Sequence, residues 1–299
     1  MGFLFVDRIL QLLPGELARG VKHITHDDVY LCPDGQGRLC FIPSLIGETL
    51  GQLAAWNVMF SNDFTLRPVA GMAASARLHR PAYVGETLLL ESIIESVDDK
   101  AVQYRSVAYV GDEVVFSLDG ALGPLLPMTD FIDEQVVRRQ FAEINRPGDW
   151  PQRSESEQLL SNSELISITS ARPGLSMTFD RILNSDPGVS LTAEKYVTRA
   201  APYFPDHFPH KPVLPMTVLL ECKLNLAREF VARGAFKPNY QVSELRRIKM
   251  NEFVHPGDVL RSHLKVKEQN SEQLILNYRS EVDGRRVCVL DVVMMAKGN

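Results

Sequence analysis

One spacing organises this chain. Asp7-Arg8-Ile9-Leu10 recurs as Asp180-Arg181-Ile182-Leu183, Lys22-His23-Ile24-Thr25 recurs as Lys195-Tyr196-Val197-Thr198, and Glu48 has its counterpart in Glu221. Each pair is 173 positions apart (7 to 180, 22 to 195, 48 to 221), with no gap between the matches. Tyr83-Val84-Gly85-Glu86-Thr87-Leu88 resembles His255-Pro256-Gly257-Asp258-Val259-Leu260 at nearly the same offset. Self-similarity in one register predicts two copies of one structural unit. A chain of 299 residues gives each copy roughly 130, enough for a core of its own. The expected division is 1–128 for the first unit, 129–175 for a helix and linker, and 176–299 for the second unit.

Within a unit, residues 3–12 and 16–24 read as short strands around Pro14-Gly15, followed by a loop rich in Gly and Pro. Leu45, Thr49, Gln52, Leu53 and Trp56 then fall at helical spacing behind Pro43, which predicts a helix from Ser44 to about Phe60. Strands are expected over 87–97, 102–110 and 113–122, with turns at Asp98-Asp99 and Gly111-Asp112. The second unit repeats this plan: a helix over 216–232, an alternating strand over 274–282, and a turn at Asp283-Gly284 into a strand over 287–295. The repeated unit is therefore an antiparallel sheet around one long helix, an α+β fold. Between the units, Asp130 is expected to cap a helix through Val136, Val137, Phe141 and Ile144, ended by Pro147-Gly148. Ser154-Glu155-Ser156-Glu157 and Ser161-Asn162-Ser163 read as solvated linker.

Composition narrows the function classes. A net charge of −5 argues against nucleic acid, which selects a basic surplus. No apolar run approaches the roughly 18 residues of a membrane span. Phe3-Leu4-Phe5-Val6 is interrupted at once by Asp7 and Arg8, unlike a signal peptide. Cys32, Cys40, Cys222 and Cys288 lack Cys-x-x-Cys spacing, which points to a reduced, cytoplasmic setting. Neither His26-Asp27-Asp28 nor the His207/His210 pair completes a metal-ligand set. Phosphate-cradling glycine motifs are missing as well, so no nucleotide cofactor is expected.

The chemistry-bearing segment is Asp206-His207-Phe208-Pro209-His210-Lys211-Pro212-Val213-Leu214-Pro215, which feeds an apolar helix carrying Glu221. An imidazole on a proline-stiffened turn beside a helical carboxylate suits general acid–base work. Taken singly, the same residues also read as a turn and as a hydrogen-bonded structural acid. The first unit keeps the acid as Glu48 but has Asp34 where His207 would recur.

His207-Phe208-Pro209, Pro212, Pro215 and Glu221, in this order and spacing, resemble the active-site segment of 3-hydroxyacyl-acyl-carrier-protein dehydratases of the FabZ and FabA type. Phe5-Val6-Asp7-Arg8, Phe179-Asp180-Arg181 and Pro256-Gly257-Asp258 resemble flanking parts of that family, so the likeness covers each repeat nearly end to end. It implies a double hotdog, two antiparallel sheets each wrapped around a central helix. In relatives built from single hotdogs, the histidine of one subunit works with the acid of its partner. Carried over, this sets His207 against Glu48 and leaves Glu221 facing the loop around Asp34. Gln52, four residues after Glu48, also matches the family's helix, whereas Asn225 stands at that place in the second unit.

The implied reaction removes water from a 3-hydroxyacyl thioester to give the trans-2-enoyl thioester, in fatty-acid or polyketide-like synthesis. His207 would take the C2 proton. Glu48, held wholly or partly protonated by desolvation on its apolar helix, would release the C3 hydroxyl as water. The helix N-terminus after Pro215 would offer the amide of Met216 to the thioester oxygen, with Phe208 and Gln52 also lining the substrate. Met216 departs from the glycine usual in the family. The substrate would arrive on the phosphopantetheine of an acyl carrier protein or on coenzyme A, docked by Arg246, Arg247 and Lys249 or by Arg77, His79 and Arg80. Both clusters read equally as solvated strand edges. Self-association of the fused pair stays open. A hotdog thioesterase and a non-catalytic acyl-binding scaffold are the alternatives. The first leaves the His-Phe-Pro loop without a task, and the second is favoured by the missing histidine and by Met216.

Overall fold

The computed structural model describes residues 3–24, 28–150, 177–197, 201–234, 236 and 239–296. Thr25, His26, Asp27, Thr198 and the linker serines lie outside the described residues. The first unit holds strands β1 (Arg8–Leu13), β2 (Leu17–His23), β3 (Leu31–Pro33) and β4 (Leu39–Phe41), helix α1 (Pro43–Ser61), and strands β5 (Leu66–Pro68), β6 (Met72–Leu78), β7 (Thr87–Val97), β8 (Ala101–Val110) and β9 (Glu113–Pro127). Helix α2 (Glu134–Ile144) follows. The second unit holds β10 (Arg181–Asp186), β11 (Ser190–Tyr196), helix α3 (Met216–Arg233), β12 (Tyr240–Met250), β13 (Val259–Gln269), β14 (Gln273–Val282) and β15 (Arg285–Ala296).

The duplication is visible in backbone detail. Both long helices begin behind a proline-containing approach and 173 positions apart, at Pro43 and Met216. The β1–β2 ladder slips between Ile9 and Gln11, and the β10–β11 ladder slips between Ile182 and Asn184 at the same spacing. Gly15 and Gly188 hold the two hairpin turns with φ of 74° and 77°, a left-handed conformation that glycine adopts without steric cost.

Strand order makes one continuous sheet: β1-β2-β7-β8-β9-β6-β12-β15-β14-β13-β11-β10, with β5 added on β9. The order is a mirror about the β6–β12 junction, where the units pair antiparallel with Ala76 opposite Leu245 and Ala73 opposite Ile248. Both strands therefore lie mid-sheet, and the solvated-edge reading of their basic residues is overturned. Helix α1 packs against strands of its own unit and against α3. It buries Leu45, Ile46, Leu50, Leu53 and Val58 completely, and α3 buries Leu219, Cys222 and Ala227 to the same degree. At roughly 25 cal/mol per Å² of apolar surface, this burial stabilises both units and adds to the β6–β12 ladder that joins them.

Several expectations shift at element ends. Phe3–Val6 is not strand, because the chain there crosses toward α1, where Gln52 Oε1 accepts from the Phe5 amide at 2.9 Å. Strand β9 runs past Leu122 to Pro127, where Leu125, Leu126 and Pro127 pair with β5. The Gly- and Pro-rich loop contains the β3–β4 ladder. Asp130 closes a 3-10 turn instead of capping a helix. Asp133 occupies the N-cap of α2, without a side-chain bond.

Asn57, fully buried on α1, fastens the first hairpin. Its Nδ2 donates to the carbonyls of Leu13 and Leu17 at 2.9 and 2.7 Å, and its Oδ1 accepts from the Gly15 amide at 2.7 Å. The position 173 residues on is Phe230, so this clamp belongs to one unit. Asn57→Ala strands three backbone groups and is expected to lower stability by about 2–4 kcal/mol, read from urea denaturation. A loss under about 1 kcal/mol would show that water replaces the clamp.

Candidate active site

Glu48 sits two turns into α1, its two oxygens held by different units. Gln52 Nε2, one turn on, donates to Oε1 at 3.0 Å, and Thr217 Oγ1 in the first turn of α3 donates to Oε2 at 2.8 Å. Gln52 is itself anchored, since its Nε2 also reaches the Phe3 carbonyl at 2.8 Å. The carboxylate is thus aimed by both helices, and Thr217 emerges as a site residue that carried no motif.

His207 stands on the loop leading into α3. Its amide donates to the Tyr203 carbonyl at 3.0 Å, and the Val213 amide donates back to the His207 carbonyl at 3.0 Å. The side-chain Nδ1 lies 3.0 Å from the Val213 carbonyl, an acceptor only, which fixes the proton on Nδ1 and leaves Nε2 as the basic nitrogen. The imidazole is stacked on Phe208 at 4.2 Å between centroids and meets the edge of Phe3 from the first unit at 5.7 Å. Phe208 is buried against Phe131 at 5.0 Å. Burial pushes the His207 pKa below its ordinary 6.5. Glu48 opposes that shift, and the positive charge of Arg67 adds to it.

A cavity of about 270 Å³ brings Glu48, Gln52, His207, Phe208 and Met216 together with Arg67, Tyr104 and Phe253. A narrower, mainly apolar cavity of about 90 Å³ continues from it between the helices and the β6–β12 junction. Glu48, Gly51, Gly71, Tyr104 and Met216 line both, so the carboxylate stands where they meet. Pro215, the N-cap of α3, lies buried behind Met216.

Glu221 is placed elsewhere. It is 4% exposed, accepts at Oε1 from Arg228 at 3.2 Å, and its Oε2 has no partner among the described residues. Arg228 occupies the position of Ala55, and it also donates to Asn225 Oδ1. Ser44, the counterpart of Thr217, has a buried hydroxyl that is likewise unpartnered, so the cross-unit bond made to Glu48 is not made to Glu221. Asp34 acts as a turn former: it accepts from the amides of Gln36 and Arg38 at 2.8 and 2.9 Å and from Tyr83 Oη at 3.0 Å.

The basic residues of β12 are largely matched by acids. Arg246 pairs with Glu244 at 2.9 Å, Arg247 with Asp291, and Arg77 of β6 with Glu244 at 3.3 Å, while Lys249 is exposed. Arg80 pairs with Glu86 and Glu113, and His79 contacts Ser117. No described group of His, Cys, Asp and Glu is placed to hold a metal ion. No described helix is long and apolar enough to cross a membrane.

A family model described as ApeI dehydratase, ApeI-like, matches residues 184–289. The 3-hydroxyacyl-[acyl-carrier-protein] dehydratase FabZ of Lactiplantibacillus plantarum is 28% identical over 140 residues, 46% of this chain and 94% of that protein. FabZ of Rickettsia massiliae is 35% identical over 96 residues, 31% of this chain and 66% of that protein. The fold of the whole chain matches the dehydratase domain of PpsC from Mycobacterium tuberculosis with a TM-score of 0.55 at 10% identity, covering 99% of each. The chain is a double hotdog of the FabZ dehydratase type. The same architecture occurs in a putative oleoyl thioesterase from Lactobacillus plantarum, with a TM-score of 0.57 at 11% identity, 95% of this chain and 97% of that one.

In this FabZ-type double hotdog the lowered pKa of His207 gives a signed expectation. The folded state binds a proton less readily than the unfolded chain, so His207 is less protonated than in the unfolded chain around pH 6.5, and its contribution to stability is lost as pH falls below that value. The NMR titration midpoint of the ring should lie below 6.5, and lower still in Glu48→Gln, which removes the charge that raises it. A midpoint at or above 6.5 would contradict the burial argument.

Proposed function

We propose that His207 and Glu48 together dehydrate a 3-hydroxyacyl thioester to the trans-2-enoyl thioester. The observation that carries this is that an imidazole of one unit and a carboxylate of the other line one cavity, each oriented by its own hydrogen bonds. His207 Nε2 removes the C2 proton, and Glu48 delivers a proton to the departing C3 hydroxyl. Thr217 can turn its hydroxyl from donor to acceptor as Glu48 changes protonation, which suits a group that cycles. The first amide of α3, at Met216, offers a donor to the thioester oxygen, and the apolar cavity beyond Glu48 receives the acyl chain.

An acyl carrier protein delivers the substrate in this reading, as the names of the FabZ relatives suggest. Arg246, Arg247 and Lys249 are all exposed, and the two arginines of this docking cluster are offset by Glu244 and Asp291. The chemistry is carried by side chains, and the phosphopantetheine or coenzyme A is part of the substrate. We place the reaction in the cytoplasm, in keeping with four free thiols.

Turnover of a 3-hydroxyacyl thioester, followed by enoyl absorbance and by free thiol, tests the reading. His207→Ala and Glu48→Gln are each expected to lose about 10²- to 10⁴-fold, with the double variant little worse than either. Glu221→Gln should keep most of the activity, because its partner is Arg228 and not His207. Thiol release without enoyl product would make the protein a thioesterase. A dead Glu221→Gln beside an active Glu48→Gln would move the acid to the second unit.

A further inference from the structure

We infer that Arg67 is a third catalytic residue: its guanidinium binds the thioester oxygen and stabilises the negative charge that builds there as the C2 proton leaves. The inference rests on the dehydratase reading above and adds to it a group that no sequence motif marks.

The placement of Arg67 follows from how α1 ends. Asn62 Oδ1 accepts from the amides of Thr65 and Leu66 at 3.0 and 3.1 Å, and the Phe64 amide donates back to the Met59 carbonyl at 2.7 Å. Asp63 and Phe64 carry φ of 56° and 60°, a conformation costly outside glycine. It is held by the Phe64 ring, buried against Phe141 at 5.3 Å, and by Arg138, which bonds the Asp63 carbonyl at 2.7 Å. The chain is thereby turned into β5, whose pairing with β9 sets Arg67 opposite Leu126. There the guanidinium lies 4.0 Å from the centre of the Phe208 ring, the ring on which His207 stacks.

Three observations make Arg67 unlike the other arginines near it. It lines the same cavity as Glu48 and His207. Its Nε, like that of Arg80, is buried with no hydrogen-bond partner among the described residues, but unlike Arg80 it has no described carboxylate within ion-pairing distance of the guanidinium. Burial pushes its pKa down to about 10, with Glu48 opposing the shift. By contrast Arg19 and Arg80, also partly covered, are paired with Glu91 and with Glu86 and Glu113. A half-buried cation that rests on the Phe208 ring with no carboxylate partner among the described residues still has unused donors, and its retention beside two reacting groups calls for an acceptor brought by the ligand. The phosphate of a pantetheine arm sits at the far end of that arm from the thioester. The oxygen bonded to C1, the neighbour of the carbon that loses its proton, is the acceptor every such substrate carries at this point.

The step balances within the chain. The C2–H bond breaks, and the proton passes to His207 Nε2. The electron pair moves toward C1, raising negative charge on the thioester oxygen, where Arg67 and the Met216 amide donate. The pair then forms the C2=C3 bond as C3–O breaks, and the hydroxyl leaves as water with a proton from Glu48. Proton return from His207 to Glu48 through solvent restores the starting state. A full charge delivered in a water-poor cavity offers more to such an oxygen than one backbone dipole.

Arg67→Met and Arg67→Lys would be compared with the unaltered protein in two measurements. In steady-state dehydration Arg67→Met is expected to lose about 10²- to 10³-fold in kcat with KM changed less than about threefold, and Arg67→Lys to recover part of the loss. In isotope-edited infrared spectra of a 2-enoyl N-acetylcysteamine thioester labelled with ¹³C at C1, binding should lower the carbonyl stretch in the unaltered protein and much less in Arg67→Met. A merely structural role behind Phe208 would not move that band. The inference is overturned if the bound carbonyl band is the same with and without the guanidinium, if the loss lies in KM alone, or, should Arg67→Met fail to fold, if Arg67→Lys matches the unaltered protein in both measurements. Failure of the unaltered protein to dehydrate any 3-hydroxyacyl thioester would instead remove the dehydratase reading, and this inference with it.

Discussion

Everything about the site depends on the antiparallel pairing of β6 with β12. This ladder turns two sheets into one and fixes both long helices on a common side, where their apolar faces exclude water from each other. A slip of one residue along it would reverse which side chains face the helices. It would also part Thr217 from Glu48, a contact between residues 169 positions apart. The register is held by side chains of alternating character: Ala73, Ala76, Leu245 and Ile248 face inward, while Arg77 and Arg246 converge on Glu244. The arrangement of side chains at the candidate site is therefore a product of long-range strand pairing.

The two halves have diverged around a shared backbone. Where one half has Ala55, Thr217 and His207 about its carboxylate, the other has Arg228, Ser44 and Asp34 about Glu221. Arg228 pairs with Glu221 at 3.2 Å and stands where the first half has Ala55. Asp34 has become a turn anchor, tied to Tyr83, Gln36 and Arg38. Glu221 Oε2 and Ser44 Oγ are buried and without a partner among the described residues, whereas the equivalent contact is made between Thr217 and Glu48.

Much of this was legible in the sequence. The 173-residue offset revealed the two units, and helical spacing behind Pro43 located α1. The segment from His207 to Glu221 marked the loop and helix that reach the cavity, and the family resemblance set His207 against Glu48, which line that cavity together. What stayed hidden has a common physical cause. Arg67 and Tyr104 join the site only through tertiary placement, with no local periodicity or spacing to mark them. The basic residues of β6 and β12 looked like a solvated edge because a strand cannot reveal from its own sequence whether another lies beside it. Asp130 looked like a cap because Asp133, three residues on, has equal chemistry and only the 3-10 turn between them decides.

The junction between β6 and β12 has one more consequence. Had the halves been separate chains, the meeting of His207 and Glu48 would be a bimolecular event, and the fraction of complete sites would fall on dilution. Within one polypeptide the same meeting is unimolecular, governed by an effective concentration that a connecting segment sets and the surrounding solution does not. Each half was then released from having to match a copy of itself. One could specialise in presenting an imidazole and the other in holding an acid, and neither substitution had to serve at two symmetry-related places at once.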